Sequence, residues 1–142
     1  HPAASCAPDP EITRRVADTA YRLAGITAED LDLIELHDAF SVEELQYLED
    51  LGVCPPGQAG KQLLEGQFDV GGRVAVNTSG GLIARGHPGG ATGLAQIVEL
   101  TTQIRGAAGQ RQHNRARNGL AQMIGAGGSC YVQILRGEDV PR

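Results

Sequence analysis

The seventeen residues from Asn77 to Gly93, Asn-Thr-Ser-Gly-Gly-Leu-Ile-Ala-Arg-Gly-His-Pro-Gly-Gly-Ala-Thr-Gly, limit the folds open to this chain more than any other stretch. Six glycines in so short a span let the backbone turn sharply and approach a ligand closely. The Gly-His-Pro triplet then leads straight into an apolar helical pattern. Proline suits the first turn of a helix, where its missing N–H costs nothing, so a helix is expected from Pro88 to Arg105. That places His87 at the positive end of the helix, which favours a neutral imidazole. A neutral, positioned histidine can hydrogen-bond an oxyanion or act as a base near pH 7.

Periodicity on either side of this loop supplies the rest of a layered fold. Ile12, Val16, Ala17, Ala20, Leu23 and Ala24 have helical spacing, ended by Gly25. Thr27 to Asp30 carries capping chemistry for a short turn, and Leu31 to Leu36 reads as a buried strand. Ser41-Val-Glu-Glu44 reads as a capping box for a helix running to about Leu51. Residues 52–72 form a Gly/Pro-punctuated excursion with a short helix near Gly60 to Leu64, and Arg73 to Val76 is a short strand. In the helix after Pro88, the apolar positions Ala91, Leu94, Ala95, Ile97, Val98, Leu100 and Ile104 cover more than one face. It should therefore lie between layers. After a polar loop at 106–118, Leu120 to Ile124 and Cys130 to Leu135 read as strands of a hairpin closed by Gly125-Ala-Gly-Gly128. This order implies an α/β domain with a mixed β-sheet and helices on its faces.

A length of 142 residues fits one domain, large enough to bury roughly 68–70% of its unfolded surface. Aromatics are 4% of the chain and Trp is absent, so the core must be aliphatic and rich in Ala and Gly. A net charge of −5 argues against broad nucleic-acid binding; Arg111, Arg115 and Arg117 cluster in the polar loop and read as solvated. His113, in the same loop, also reads as solvated. Cys6, Cys54 and Cys130 are odd in number and lack metal-site spacing, so no metal is expected and reduced thiols fit best. No apolar run is long enough to span a membrane, and no signal-peptide pattern appears. Eleven Arg against one Lys point to a GC-rich bacterial source, and the expected location is the bacterial cytoplasm. Residues 1–9 read as a linker or cleavage remnant ahead of a domain over 10–142.

Three loops leave the C-terminal ends of predicted strands: His37-Asp-Ala-Phe40, Asn77 to Gly93, and Gly125 to Gly128. In open α/β sheets the ligand crevice lies at those ends. Two histidines and two glycine loops could thus converge on one carbonyl as an oxyanion hole. Each also has a plainer reading. His37 could cap the next helix, His87 could be a hydrogen-bonded turn residue, and the Gly125 loop could be only a tight hairpin. Asp38 and Ser41 read as helix caps, and Cys130 as a core residue rather than a nucleophile. No Gly-Lys-Ser/Thr follows the glycines, so there is no P-loop, and no Gly-x-Gly-x-x-Gly follows a first strand.

The segments Tyr21-Arg-Leu-Ala-Gly-Ile26, Asp32 to Phe40, Leu51 to Lys61, Asn77 to Gly93 and Gly125 to Gly128 together resemble the C-terminal half of the thiolases. The 51–72 excursion resembles the sterol-carrier-protein-type branch. The similarity runs from about Pro10 to Arg136. It implies one half of a two-half α/β enzyme acting on coenzyme A thioesters as substrates, with no bound cofactor. The N-terminal half would supply the nucleophilic cysteine, so the chain alone would be inactive. By the same resemblance His87 would activate that nucleophile and bind the thioester oxygen. His37, at a position where other thiolases carry Asn, would hold a water or donor in the same oxyanion hole. Gly125 would offer a backbone N–H to a second hole. Asn77, Gly80, Gly81, Phe40 and Gly127 would shape the substrate pocket. Implied partners are the N-terminal half, a second copy in a homodimer, and an OB-fold companion protein.

Two departures from the family pattern bear on mechanism. The branch commonly reads His-Asp-Cys-Phe, its cysteine acting as second acid/base, whereas this chain has Ala39. Other thiolases carry that cysteine just before the glycine loop, where this chain has Met123. A module that binds acyl-CoA or scaffolds a partner without catalysis is the alternative expectation.

Overall fold

The computed structural model describes residues 11–138. Cys6 and the linker expected over residues 1–9 lie outside them. Helix α1 spans Ile12–Ala24 and buries Thr13, Ala17 and Tyr21, one residue per turn. Gly25 ends it in the left-handed region at φ 66°, which its lack of a Cβ permits. Strand β1 is Leu33–Glu35, shorter than the expected Leu31 to Leu36. Helix α2 covers Ser41–Asp50, α3 covers Ala59–Leu64 and strand β2 is Ala75–Val76. A helix absent from the sequence reading, α4, occupies Gly81–Arg85. Then come helix α5, Thr92–Ile104, and the strands β3, Asn118–Gly125, and β4, Ser129–Arg136.

The four strands form one mixed sheet in the order β2-β1-β3-β4. β1 runs parallel to both β2 and β3, with Ile34 opposite Val76 and Leu120, and β3 pairs antiparallel with β4. On one face, Ile34 and Leu120 pack with Ala17 and Tyr21 of α1 and Leu48 of α2. On the other, Leu33, Ala75 and Ala121 pack with Leu100 of α5. The alternation along β1 thus separates two layers, as the strand period requires.

Several local expectations need correction. The capping frame of α2 lies one residue earlier than Ser41: the Phe40 N–H donates to Glu43 Oε2 at 3.0 Å, and Ser41 is the first helical residue. Helix α5 begins at Thr92, not Pro88. Pro88 instead supplies a turn, its carbonyl accepting from Ala91 N–H at 2.8 Å and from Thr92 N–H at 3.1 Å. His87 consequently stands five residues ahead of the helix, beyond the turn over which a helix dipole acts. The helix also does not present apolar residues to every neighbour. It buries Gln96, Glu99 and Gln103 while Leu94 and Val98 are 66% and 56% exposed.

One loop residue that reads as solvated, His113, is not. His113 is buried; its N–H donates to Gln103 Oε1 at 2.9 Å and its Nδ1 accepts the Gly71 N–H at 3.1 Å. Arg111 is exposed, as expected, and pairs with Glu99 at 2.9 Å. Arg115 and Arg117 are exposed, as expected.

Candidate functional site

His37 stands two residues past the end of β1, and β3 extends past it on one side. The His37 N–H donates to Gln122 Oε1 at 2.9 Å, and its ring Nδ1 lies 3.2 Å from Met123 Sδ. These contacts carry the β1–β3 pairing two residues beyond its last ladder rung and hold the ring at the sheet's end. The ring is buried, and burial pushes its pKa below the ordinary imidazole value. Glu43 pulls it back up, the neighbouring His87 pushes it down and Asp38 pulls it up.

His87 reaches the same place from the loop after α4. The two imidazoles meet edge to face, with ring centres 5.1 Å apart and planes at 85°. His87 Nδ1 lies 2.8 Å from Thr92 Oγ1, and the Thr92 hydroxyl donates to the Pro88 carbonyl at 3.1 Å. A hydroxyl has one proton to give, so toward His87 the threonine oxygen accepts. The Nδ1 of His87 therefore carries the hydrogen, and the Nε2 of the neutral ring carries a lone pair. That tautomer suits a general base. The sequence reading missed Thr92 in this role, although its place five residues after the histidine, at the first turn of α5, is visible in the loop motif.

The loop that precedes His87 is braced from below. Asn77 adopts φ 47° and its Oδ1 accepts the Leu36 N–H at 2.9 Å, so a side chain extends the β1–β2 pairing. Its Nδ2 reaches Glu44 Oε2 at 3.5 Å. Asp38 caps α4 rather than α2: Oδ1 accepts the Leu82 N–H at 2.7 Å. Gly81, at φ 62°, lies so close to that carboxylate that a Cβ would collide with it. Gly80, also at positive φ, is exposed at the start of α4.

A second layer of polar side chains supports this brace. Buried Glu35 accepts from Ser79 N–H at 3.0 Å and Ser79 Oγ at 2.5 Å, and Arg85 Nη2 stands 3.9 Å away. Burial raises the Glu35 pKa, against the lowering effect of the Ser79 bonds. Thr78 Oγ1 donates to Glu99 Oε1 at 3.0 Å, and Gln103 Nε2 does so at 3.2 Å. Burial pushes Glu99 up, but the hydrogen bonds from Arg111, Gln103 and Thr78 outweigh it and hold the carboxyl below its ordinary range. Neither carboxylate was singled out from sequence. The signal available was a charged residue, Glu35, inside a short apolar strand.

The remaining expected residues lie at the margins. Phe40 is 68% exposed at the start of α2. Gly125 ends β3 two residues beyond Met123, and its carbonyl accepts the Gly128 N–H at 3.3 Å. Gly127 is exposed at the hairpin tip with φ 80°. Between the hairpin and α5 a cavity of about 380 Å³ is lined by Leu94, Ile97, Ala121, Met123 and Tyr131. Cys130 faces away, its Sγ 3.8 Å from Thr13 Oγ1 of α1, and Cys54 is buried in the core.

A family profile described as thiolase C-terminal domain-like matches residues 1–136. The chain belongs to that family. It is 46% identical over 126 residues to sterol carrier protein 2 of Bos taurus, covering 89% of this chain and 23% of the relative. It is 43% identical to an acetyl-CoA acetyltransferase of Methanothermobacter thermautotrophicus, covering 88% and 33%. Among solved structures, the Ltp2-ChsH2(DUF35) aldolase superposes with a TM-score of 0.80 at 27% identity, over 90% of this chain and 32% of that one. The chain thus spans a quarter to a third of the length of these relatives. As a thiolase C-terminal domain it carries its two histidines on separate loops. The sheet brings them together, as expected from strand ends. No helix among the described residues is long and apolar enough to cross a membrane.

Proposed function

We propose that this chain is the C-terminal part of a coenzyme A thioester acyltransferase, acting on 3-ketoacyl-CoA or related fatty or sterol-type acyl chains. The observation that carries the reading is the pair of imidazoles 5.1 Å apart at the ends of parallel strands. Their spacing lets one substrate oxygen or one water bridge them. His87, with its Nε2 lone pair, takes the proton of a cysteine thiol supplied by an N-terminal half and then donates to the thioester oxygen. His37 holds the water that completes that oxyanion site. Gly125 offers a backbone N–H to a second one. Phe40, Gly80 and Gly127 border the substrate, while Asn77 and Gly81 shape its pocket through the contacts that fix the loop.

Several partners follow from this reading. The exposed Leu94 and Val98 on α5 support docking to the N-terminal half. A homodimer and an OB-fold companion complete the assembly; the solved neighbour is itself named with a second component. Coenzyme A enters as substrate, and the setting is the bacterial cytoplasm. By itself the 142-residue chain lacks the nucleophile and is inactive. The absence of a titratable group at Ala39 and Met123 favours one second reading, a module that binds acyl-CoA without catalysis. Intact-mass measurement of the full-length protein after incubation with acyl-CoA separates the two. An acyl adduct on a cysteine supports the acyltransferase, and acyl-CoA binding without an adduct supports the module.

A further inference from the structure

Cleaving a carbon–carbon bond beside a ketone with a thiol nucleophile needs two proton positions. One accepts the nucleophile's proton, and the other protonates the carbon that leaves with the bonding electrons. On the acyltransferase reading His87 fills the first. The second has few candidates here. Ala39 and Met123 carry no exchangeable proton. The Asp38 carboxylate is buried and committed to the Leu82 N–H. Glu43 is held by the Phe40 N–H and the Tyr47 hydroxyl, and Glu44 by Asn77. Cys130 points to α1 on the opposite face of the sheet.

His37 remains. We propose that His37 is the second acid/base of the reaction, and that the two imidazoles hand one proton from the nucleophilic thiol to the leaving carbon. A thioether has no proton and only accepts, so the contact with Met123 Sδ fixes the hydrogen of His37 on Nδ1. Both neutral rings then carry their lone pair on Nε2. At rest the thiol holds the proton. It passes to Nε2 of His87, which donates to the C3 oxygen, and, as that oxyanion collapses, through one bridging water to Nε2 of His37. The thiolate attacks the C3 carbonyl, the C2–C3 bond breaks, and its electron pair goes to C2. The His37 imidazolium protonates C2, releasing the shorter acyl-CoA. Free coenzyme A thiol then gives its proton to the pair and attacks the acyl-cysteine. The cysteine leaves as thiolate and recovers the proton.

The surroundings fit a ring that is neutral at rest and cationic in passing. Its burial favours the neutral form. The carboxylates of Glu43, from α2, and Asp38, from its own loop, stabilise the transient imidazolium, while His87 opposes a second charge. Met123, from β3, is uncharged. The site therefore has room for one proton, shared by two rings.

The test uses the full-length protein and separates two steps: acyl loading from acetyl-CoA, read by intact mass, and cleavage of acetoacetyl-CoA by coenzyme A. His37→Asn keeps hydrogen-bonding capacity but cannot titrate. Cleavage should fall about 10²–10⁴-fold while loading falls less than about tenfold. Adding Ala39→Cys to that variant should recover at least about tenfold in cleavage, since a thiol beside this loop can titrate. Cleavage by His37→Asn within about threefold of wild type, or equal losses in both steps, overturns the proposal. A wild type that loads acyl groups but does not cleave overturns it too, leaving the acyltransferase reading intact. A wild type that does neither defeats both. If His37→Asn does not fold, nitrogen-15 NMR of histidine-labelled wild type decides. Hydrogen on Nδ1 of His37 is expected, and hydrogen on Nε2 overturns the relay.

Discussion

Against α1 and α2 the sheet packs Ile34, Leu36 and Leu120 with Leu48, each essentially inaccessible, and long-range polar ties such as Tyr21 to the Leu51 carbonyl are few. Against α5 it buries Glu35 facing Thr78, Glu99 and Gln103, and the same helix turns Leu94 and Val98 to solvent. An ordinary surface helix does the reverse. The first face is an aliphatic core that stabilises the domain. The second spends buried polar groups, which contribute little net stability, on holding the Asn77–Gly81 turn in one geometry. From that turn α4 and then His87 are launched, so the polar layer supports the site and the apolar layer supports the fold.

The largest effect that separates the two faces is on chemistry. In the full-length protein His87→Ala should lower acyl transfer about 10²–10⁴-fold with an unchanged circular dichroism spectrum. An unaffected rate returns His87 to a structural role. Next in size are stability losses that should differ in kind. Leu48→Ala should cost about 2–5 kcal/mol in urea unfolding, with acyl transfer of the folded fraction retained. Glu99→Gln should cost about 1–3 kcal/mol and also slow acyl transfer, because Thr78 and Arg111 lose their partner. If Leu48→Ala damaged chemistry as much as Glu99→Gln, the division of labour would be gone.

The α5 side should also carry the pH dependence near neutrality. His113 accepts the Gly71 N–H on Nδ1, and burial lowers its pKa, with Asp32 pulling up and Arg115 down. His37 is lowered for the same first reason. For such groups the unfolded chain takes the proton first. Their stability contribution is full above the ordinary value of about 6.5 and is lost as pH falls below it. The Glu35 pKa is raised, so its contribution has the opposite sign and weakens as pH rises above the ordinary carboxylate range. Urea midpoints between pH 7 and pH 5 should therefore fall, and His113→Asn should flatten the profile. A wild-type profile already flat there removes the histidine account.

The smallest effect is expected at the exposed face. Leu94→Ser with Val98→Ser should change the stability of the isolated chain by no more than about 0.5 kcal/mol per site. The same pair should abolish binding of the chain to a separately produced N-terminal half, measured by calorimetry. Unimpaired binding would place the docking surface elsewhere.

What could be read from the residues follows the same division. Helix α1, the Gly25 stop and the β3–β4 hairpin depend on local periodicity and turn chemistry, and all stand where expected. The convergence of His37 and His87 was legible because strand ends gather loops in α/β sheets. Helix α4 was not, since five residues between glycines give no period, and it is capped by Asp38 from across the sheet. The start of α5 was misplaced because Pro88 serves equally well in the turn ahead of a helix. His113 reads as solvated in the sequence because its partners, Gly71 and Gln103, come from other segments. Polar burial is set by tertiary pairing, which a polar loop composition cannot reveal.

The most direct test of the two-histidine site is a structure of the full-length protein with an unreactive acyl-CoA analogue. The thioester oxygen should lie about 2.7–3.2 Å from Nε2 of His87, with a water held by His37 as the second donor. A thioester bound more than one water away from both rings, or on the α1–α2 side of the sheet, would contradict the account.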